Sequence, residues 1–354
     1  MLTFNHGVAG SSPAGLTSLK VKLMGSSLRR MPRRFKRASA LAFAALAVAA
    51  LDSGPGRAEY PEQQITFIVC FPPGGGTDVA ARIIDSYLSD ALGKPVIVEN
   101  RSGAGGNAGI VAAASAPADG YTLLVCSSRF LVNPSLQAQA SYDPLKDFAP
   151  VMLIGVSPNV FVVPAHSSIA SMPELIDKAK ANPGKLSWTS SGVGTTSYLA
   201  GEVLKLRTGI DMPHTSFPGA GPLNSAVLSG QIDLYTATVD FVMPLINAGR
   251  VRPIAVTSSW ADLPYVPSLD ELGIKNADLD TFQGILAPAG TPQPVIDRLV
   301  TELSTILNRN DVREGFAKAG LPVTTVGPEA FRARIQRDLA MYRQIVEQAG
   351  LSLK

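Results

Sequence analysis

The chain has 354 residues, 46% of them apolar and 17% charged, with a formal net charge of +3. Nine of the 31 Lys and Arg but only one of the 28 Asp and Glu lie in residues 1–58, so the remainder carries 22 basic and 27 acidic residues, a net of −5. No basic footprint for nucleic acid is left there. Its two histidines and two cysteines lack zinc-ligand spacing, so no metal and no cofactor is expected.

Arg29, Arg30, Arg33, Arg34, Lys36 and Arg37 lead into an uncharged run from Ala38 to Leu51. Ser53, Gly54 and Pro55 follow, then Gly56-Arg57-Ala58. Basic region, short apolar core and small-residue site read as a secretory signal peptide over 1–58, cut after Ala58. A membrane span needs about 20 apolar residues, and this run is too short. Residues before the basic stretch fit no part of a signal, which makes Met24 or Met31 an alternative start. The expected location is outside the cytoplasmic membrane.

From Gln64 the pattern alternates between strand and helix. Ile65 to Phe71 reads as a buried strand. Asp78 to Leu92 is a helix closed by Gly93. Pro95 to Glu99 is a strand, Asn107 to Ala116 a helix and Thr122 to Cys126 a third strand. After about residue 158 the alternation repeats. Asn159 to Val163 is a strand, and Ser171-Met172-Pro173-Glu174 starts a helix with a capping box. Strands at 186–189, 212–216, 232–237 and 251–257 surround helices at 196–207 and 222–228. The tail reads as helix after helix, over 294–307, 311–319 and 328–349, with no new strand. Such alternation implies an α/β fold of doubly wound, mostly parallel sheets. The two lobes are expected at 60–157 plus 284–354 and at 158–283. Cys70 and Cys126 fall on predicted strands, where they read as buried hydrophobes rather than a disulfide pair.

Three glycine-rich loops each join a strand to a helix. In Phe71-Pro72-Pro73-Gly74-Gly75-Gly76-Thr77-Asp78, the glycines permit close backbone approach. The helix that follows aims free N–H groups at the same point, which suits a carboxylate or phosphate. Gly103-Ala104-Gly105-Gly106-Asn107-Ala108-Gly109 contains a Gly-x-Gly-x-x-Gly/Ala pattern but follows the second strand and lacks the ribose-binding acid. Its reading is close backbone packing. Thr189 to Tyr198 brings Ser190, Ser191, Gly192, Gly194, Thr195 and Thr196 into a second anion cradle. Phe217 to Gly221 is a further strand-to-helix loop, and Arg129, after Ser128, could clamp a carboxylate bidentately. No Gly-x-Ser-x-Gly elbow appears, so an exported hydrolase using His166 or His214 stands only as the rival class.

Tyr60-Pro61, the Phe71–Asp78 loop, Val98 to Gly106, Asp119 to Leu124, Tyr142 to Pro150, Ser190 to Glu202 and Leu286 to Pro292 occur in one order. Together they resemble the tripartite tricarboxylate transporter receptors, also called Bug proteins. The resemblance spans essentially residues 60–350. It implies a type II periplasmic binding protein, a Venus flytrap closing on a carboxylated solute. Carried over, the ligand-holding loops are Phe71, Pro73, Gly74, Gly75, Thr77 and Asp78, with Ser190, Ser191, Gly192, Gly194, Thr195 and Thr196. Ser128, Arg129, Tyr198, Phe217 and Gly219 are added as ligand contacts. Three positions depart from the family pattern: Tyr198 stands where many members have His, Pro218 replaces a frequent Lys, and Arg129 is not the residue expected there. Arg129 is expected to meet a second carboxylate, or one on an aromatic ring. The implied partners are the solute, membrane permease subunits and, as an alternative route, a sensor kinase, with the receptor itself a monomer and not an enzyme.

Overall fold

The computed structural model describes residues 60–137, 141–217 and 220–352. The expected signal peptide, Pro218 and Gly219 therefore lie outside the described residues. The first half runs β1 (Ile65–Val69), α1 (Gly76–Leu92), β2 (Val96–Asn100), α2 (Asn107–Ala114), β3 (Thr122–Ser127), α3 (Arg129–Leu136) and β4 (Phe148–Ser157). Next come β5 (Asn159–Pro164), α4 (Met172–Ala181), β6 (Trp188–Ser190), α5 (Thr196–Thr208), α6 (Ala220–Leu228), β7 (Leu234–Thr238), α7 (Val239–Asn247) and β8 (Val251–Val256). The chain ends with β9 (Thr281–Pro288), α8 (Gln293–Leu307), α9 (Asn310–Lys318), β10 (Val323–Val326) and α10 (Pro328–Gln348).

Local chemistry explains the boundaries. Gly93 ends α1 in the left-handed region at φ 65°, where a Cβ would be penalised. Ser171 caps α4 by accepting from the Glu174 N–H, and the Glu174 carboxylate reaches back to the Ala170 N–H. Period-two alternation sorts the β1 side chains: Phe67 and Val69 pack on one face with Ala80, Ile84 and Leu88 of α1 and Leu299 of α8. Ile68 faces the other side with Ile110, Phe130 and Phe331.

The strands form two sheets, ordered β10-β4-β9-β3-β1-β2 and β6-β7-β5-β8. The architecture is the expected two-lobed α/β type, but the sheets are mixed rather than mostly parallel. β2, β1 and β3 are parallel, as are β6 and β7. β9 runs antiparallel to both β3 and β4, β10 to β4, and β5 to both β7 and β8. The cause is connectivity: β4 carries the chain out of the first sheet, and β9 brings it back beside β4 in the opposite sense. That return begins at Thr281. Two further expectations are corrected. The tail holds β10 among its helices, and 212–216 is not a strand but an isolated bridge from His214 to Trp188. Pro213 has no N–H to give a ladder there.

β4 and β9 stay paired down to Ser157 opposite Thr281. Immediately beyond, a buried polar knot fastens both crossings. Asn159 donates from its backbone N–H to Thr257 Oγ1 at 2.9 Å, and from Nδ2 to the Leu279 carbonyl at 2.6 Å. Asp280 accepts from Thr257 Oγ1 at 2.7 Å and from Ser258 Oγ at 2.6 Å. Such pairing removes the desolvation cost that buried polar groups otherwise carry.

Candidate functional site

A cavity of about 370 Å³ lies where the two sheets face each other. From the first sheet's side, its wall holds Phe71, Gly76, Thr77, Ser127, Arg129, Ser157 and Gln283. From the second come Ser190, Ser191, Thr195, Thr196, Ser197, Tyr235 and Asp240, with Phe217, Leu223 and Phe241 as an apolar flank.

Two helices begin at this wall. α1 starts with Gly76 and Thr77, and α5 with Thr196 and Ser197. A helix N-terminus presents unpaired N–H groups and a partial positive charge. The first loop is braced from below by its own side chains. The Asp78 carboxylate, buried, accepts from the Gly74 N–H at 2.9 Å, from Arg82 Nε at 3.1 Å and from Asn100 Nδ2 at 2.8 Å. Burial pushes this carboxyl up, but the bonds from Arg82, Gly74 and Asn100 outweigh it and hold it below the ordinary carboxylate range. Thr77 Oγ1 donates to Gln283 Oε1 at 2.7 Å, joining the loop to β9.

The third loop is braced by its own hydroxyls. Thr195 caps α5 by accepting from the Tyr198 N–H, and donates to the Gly192 carbonyl at 2.6 Å. Gly192 and Gly194 sit at φ 124° and 85°, which side-chain-bearing residues avoid. Thr196 Oγ1 shares a hydrogen bond with Thr281 Oγ1 and accepts from Asn159 Nδ2, so the α5 terminus is tied to the crossing strands. Ser190 Oγ lies 3.0 Å from His214 Nε2. That imidazole is packed edge-on against both Trp188 and Tyr198, with centroids 4.4 and 5.1 Å away. Burial, and then Lys205, pull its pKa down to about 4, so at neutral pH it is uncharged.

Arg129 opens α3 and reaches across to the third loop, donating from Nη2 to the Val193 carbonyl at 2.6 Å. Its Nε is buried without a hydrogen-bond partner. Burial lowers its pKa from the usual arginine value, opposed by Cys70 and Tyr142. Tyr235 OH, also on the wall, is another buried polar atom without a hydrogen bond.

Of the residues singled out in the sequence, the cavity wall gathers Phe71, Thr77, Arg129, Ser190, Ser191, Thr195, Thr196 and Phe217. Pro73, Gly74 and Gly75 are exposed and outside the wall. Asp78, Gly192, Gly194 and Tyr198 shape the loops behind it. Ser128 is fully buried and structural: its Oγ accepts from the Phe282 N–H at 2.8 Å, fastening α3 to β9. Gly219 lies outside the described residues. Sequence reasoning missed Ser157, Tyr235, Asp240, Phe241 and Gln283. These sit at the ends of β4, β7 and β9 or in the first turn of α7, where an aspartate reads as ordinary helix-start chemistry. Among the described residues no cluster of three His, Cys, Asp or Glu is placed to hold a metal.

Comparison with known proteins gives a consistent picture. Protein BugT of Bordetella pertussis is 34% identical over 299 residues, covering 83% of this chain and 92% of that one. The solved periplasmic binding protein BugD superposes with a TM-score of 0.72 at 31% identity, over 83% of this chain and all of that one. An R. palustris protein solved with adipate gives 0.74 at 29% identity, over 83% of this chain and 99% of that one. Residues 80–351 match the description tripartite tricarboxylate transporter family receptor, and with that extent of agreement in both sequence and fold the chain belongs to this receptor family.

Proposed function

We propose that the protein is a periplasmic receptor that captures a small organic carboxylate between its lobes and delivers it to a tripartite tricarboxylate-type permease. The observation that carries this reading is the convergence of the α1 and α5 N-termini and Arg129 on one cavity. A single helix N-terminus contributes about 0.3–1 kcal/mol toward an anion, more when partly buried. Two of them with an arginine make a site that favours a carboxylate over a neutral solute. The adipate carried by the R. palustris relative is chemistry of the same kind.

The mechanism is population shift. The anion touches both cradles only when the lobes are together, so binding stabilises the closed arrangement over the open one. We place the lobes at 60–157 with the tail and at 158–283, Thr281 to Gln283 of the latter forming the start of the returning strand β9. The Ser190–His214 pair invites a nucleophile reading, but a ring held near pKa about 4 is a poor general base at neutral pH. A receptor is the better account.

The test is a thermal-shift screen of residues 59–354, refolded to remove any carried ligand, against mono-, di-, tri- and aromatic carboxylates. A ligand at about 100 times its Kd adds roughly 2.7 kcal/mol, an easily read shift. No response to any carboxylate overturns the proposal.

A further inference from the structure

Among the described residues the cavity wall contains one cation, Arg129, and one carboxylate, Asp240. An acid in a site built for anions needs an explanation. Asp240 stands in the first turn of α7, and its Oδ1 accepts from Ser157 Oγ at 2.7 Å. Its other hydrogen-bond neighbours are the Thr238 hydroxyl and its own backbone, all neutral. Among the described residues no Arg, Lys or His pairs with it. Arg129 bonds to the Val193 carbonyl beside Gly105 and Gly194 and makes no ion pair with Asp240, leaving its Nε for a ligand. The carboxylate is also fixed in place: its Oδ2 faces Gly76 at the start of α1, and its stem packs on Gly320. Burial raises its pKa, as for any carboxylate lacking a countercharge.

A half-buried acid whose hydrogen-bond donors are all neutral is costly unless something supplies a cation or a further donor. Inside the cavity that something is the ligand. A second carboxylate held in the same space would face Asp240 and be repelled. Phe71, Phe217, Leu223 and Phe241 meanwhile offer an apolar bed for a carbon skeleton.

Resting on the receptor reading above, we infer that Asp240 sets specificity: the preferred solute carries an ammonium or other N–H donor as well as a carboxylate, its nitrogen on Asp240 and its carboxylate on the helix N-termini and Arg129. The solute class is thus a zwitterionic amino-carboxylate with an apolar body, rather than a di- or tricarboxylate.

Matched probe pairs test this by calorimetry. 5-Aminopentanoate and adipate share one methylene chain and differ only in the distal group, as do 4-(aminomethyl)benzoate and terephthalate. The wild-type protein is expected to bind the zwitterion about tenfold tighter or better in at least one pair. Asp240→Asn, which keeps the shape and the bond to Ser157, is expected to erase that preference without lowering affinity for the dicarboxylate. Tighter dicarboxylate binding in both pairs overturns the inference, since Asp240 would then be protonated and donating. An unchanged preference in Asp240→Asn overturns it equally. If Asp240→Asn does not fold, the wild-type preference alone decides. Carboxylates binding without discrimination defeat this inference only; no carboxylate binding at all defeats the receptor reading beneath it.

Discussion

Gly201→Ala tests how tightly the second cradle is set. Gly201 lies in α5, and a Cβ built there would fall 2.1, 2.3 and 2.7 Å from three carbons of the Trp188 ring. Ordinary carbon contacts begin near about 3.5 Å, so the indole must move by more than 1 Å or the helix must lift. Neither is easy: Trp188 is 1% exposed, stacked on Tyr198 and met edge-on by His214. Alanine gains up to about 1 kcal/mol over glycine in helix propensity, against an overpacking cost of about 1–3 kcal/mol or more. With a ring so enclosed the cost falls at the upper end, leaving a net loss of about 2 kcal/mol. Urea unfolding of residues 59–354 measures it. Gly221→Ala is the control: it is also helical but has nothing within 4 Å of its Cβ, so it should be neutral or stabilising by up to about 1 kcal/mol. Carboxylate affinity should fall with Gly201→Ala as well, because His214, packed on Trp188, positions Ser190. A Gly201→Ala midpoint at or above wild type would refute the packing argument.

Further outcomes follow from other features. Arg129→Ala should weaken carboxylate binding by about 10- to 100-fold, the range for a hydrogen bond to a charged group, and unchanged affinity in titration would remove Arg129 from the site. His214 is held near pKa about 4 in the fold, whereas an unfolded histidine titrates near about 6.5. The unfolded chain thus binds the extra proton between those values, and the ring's contribution is complete above about pH 6.5 and lost as pH falls toward 4. Melting temperature should fall across that window, and less so in His214→Gln; an identical pH profile in the variant contradicts this. Cys70 and Cys126 are free and buried, and burial pushes the Cys126 thiol up. A thiol reagent should leave the native protein untouched and find both cysteines after unfolding without reductant; finding none would mean a disulfide.

Long periodic segments were legible in the sequence, because α1, α5, α8 and α10 each repeat apolar residues at helical spacing between clear stops. The strands that build the crossing were not. β4 carries Pro150 among its apolar residues, and proline within a run reads as a break; the structure accommodates it where the register with β9 shifts. α3 and α7 were overlooked for the same reason, with Pro134 and Pro244 inside them. Loop composition marked two loops whose following helices both begin at the cavity wall. What it could not show was which atoms turn inward: Asp78 reads like a ligand contact yet braces its loop, while Asp240 reads like a helix start yet faces the cavity. For Asp240 the deciding contact, with Ser157, spans more than 80 positions and leaves no trace in local pattern; Asp78 is turned inward by Gly74, Arg82 and Asn100, the last on the neighbouring strand.

The paired crossing has a mechanical meaning of its own. Two strands bonded edge to edge until Ser157 meets Thr281 act as a ribbon, not as two separate tethers. A ribbon flexes readily out of its plane and resists shear within it. Knotted at its far end by Asn159 and Asp280, such a ribbon would favour a swing about one axis for the lobe closure proposed above. A single pair of labels, one on each side of the cleft, would therefore suffice to follow that motion as one distance.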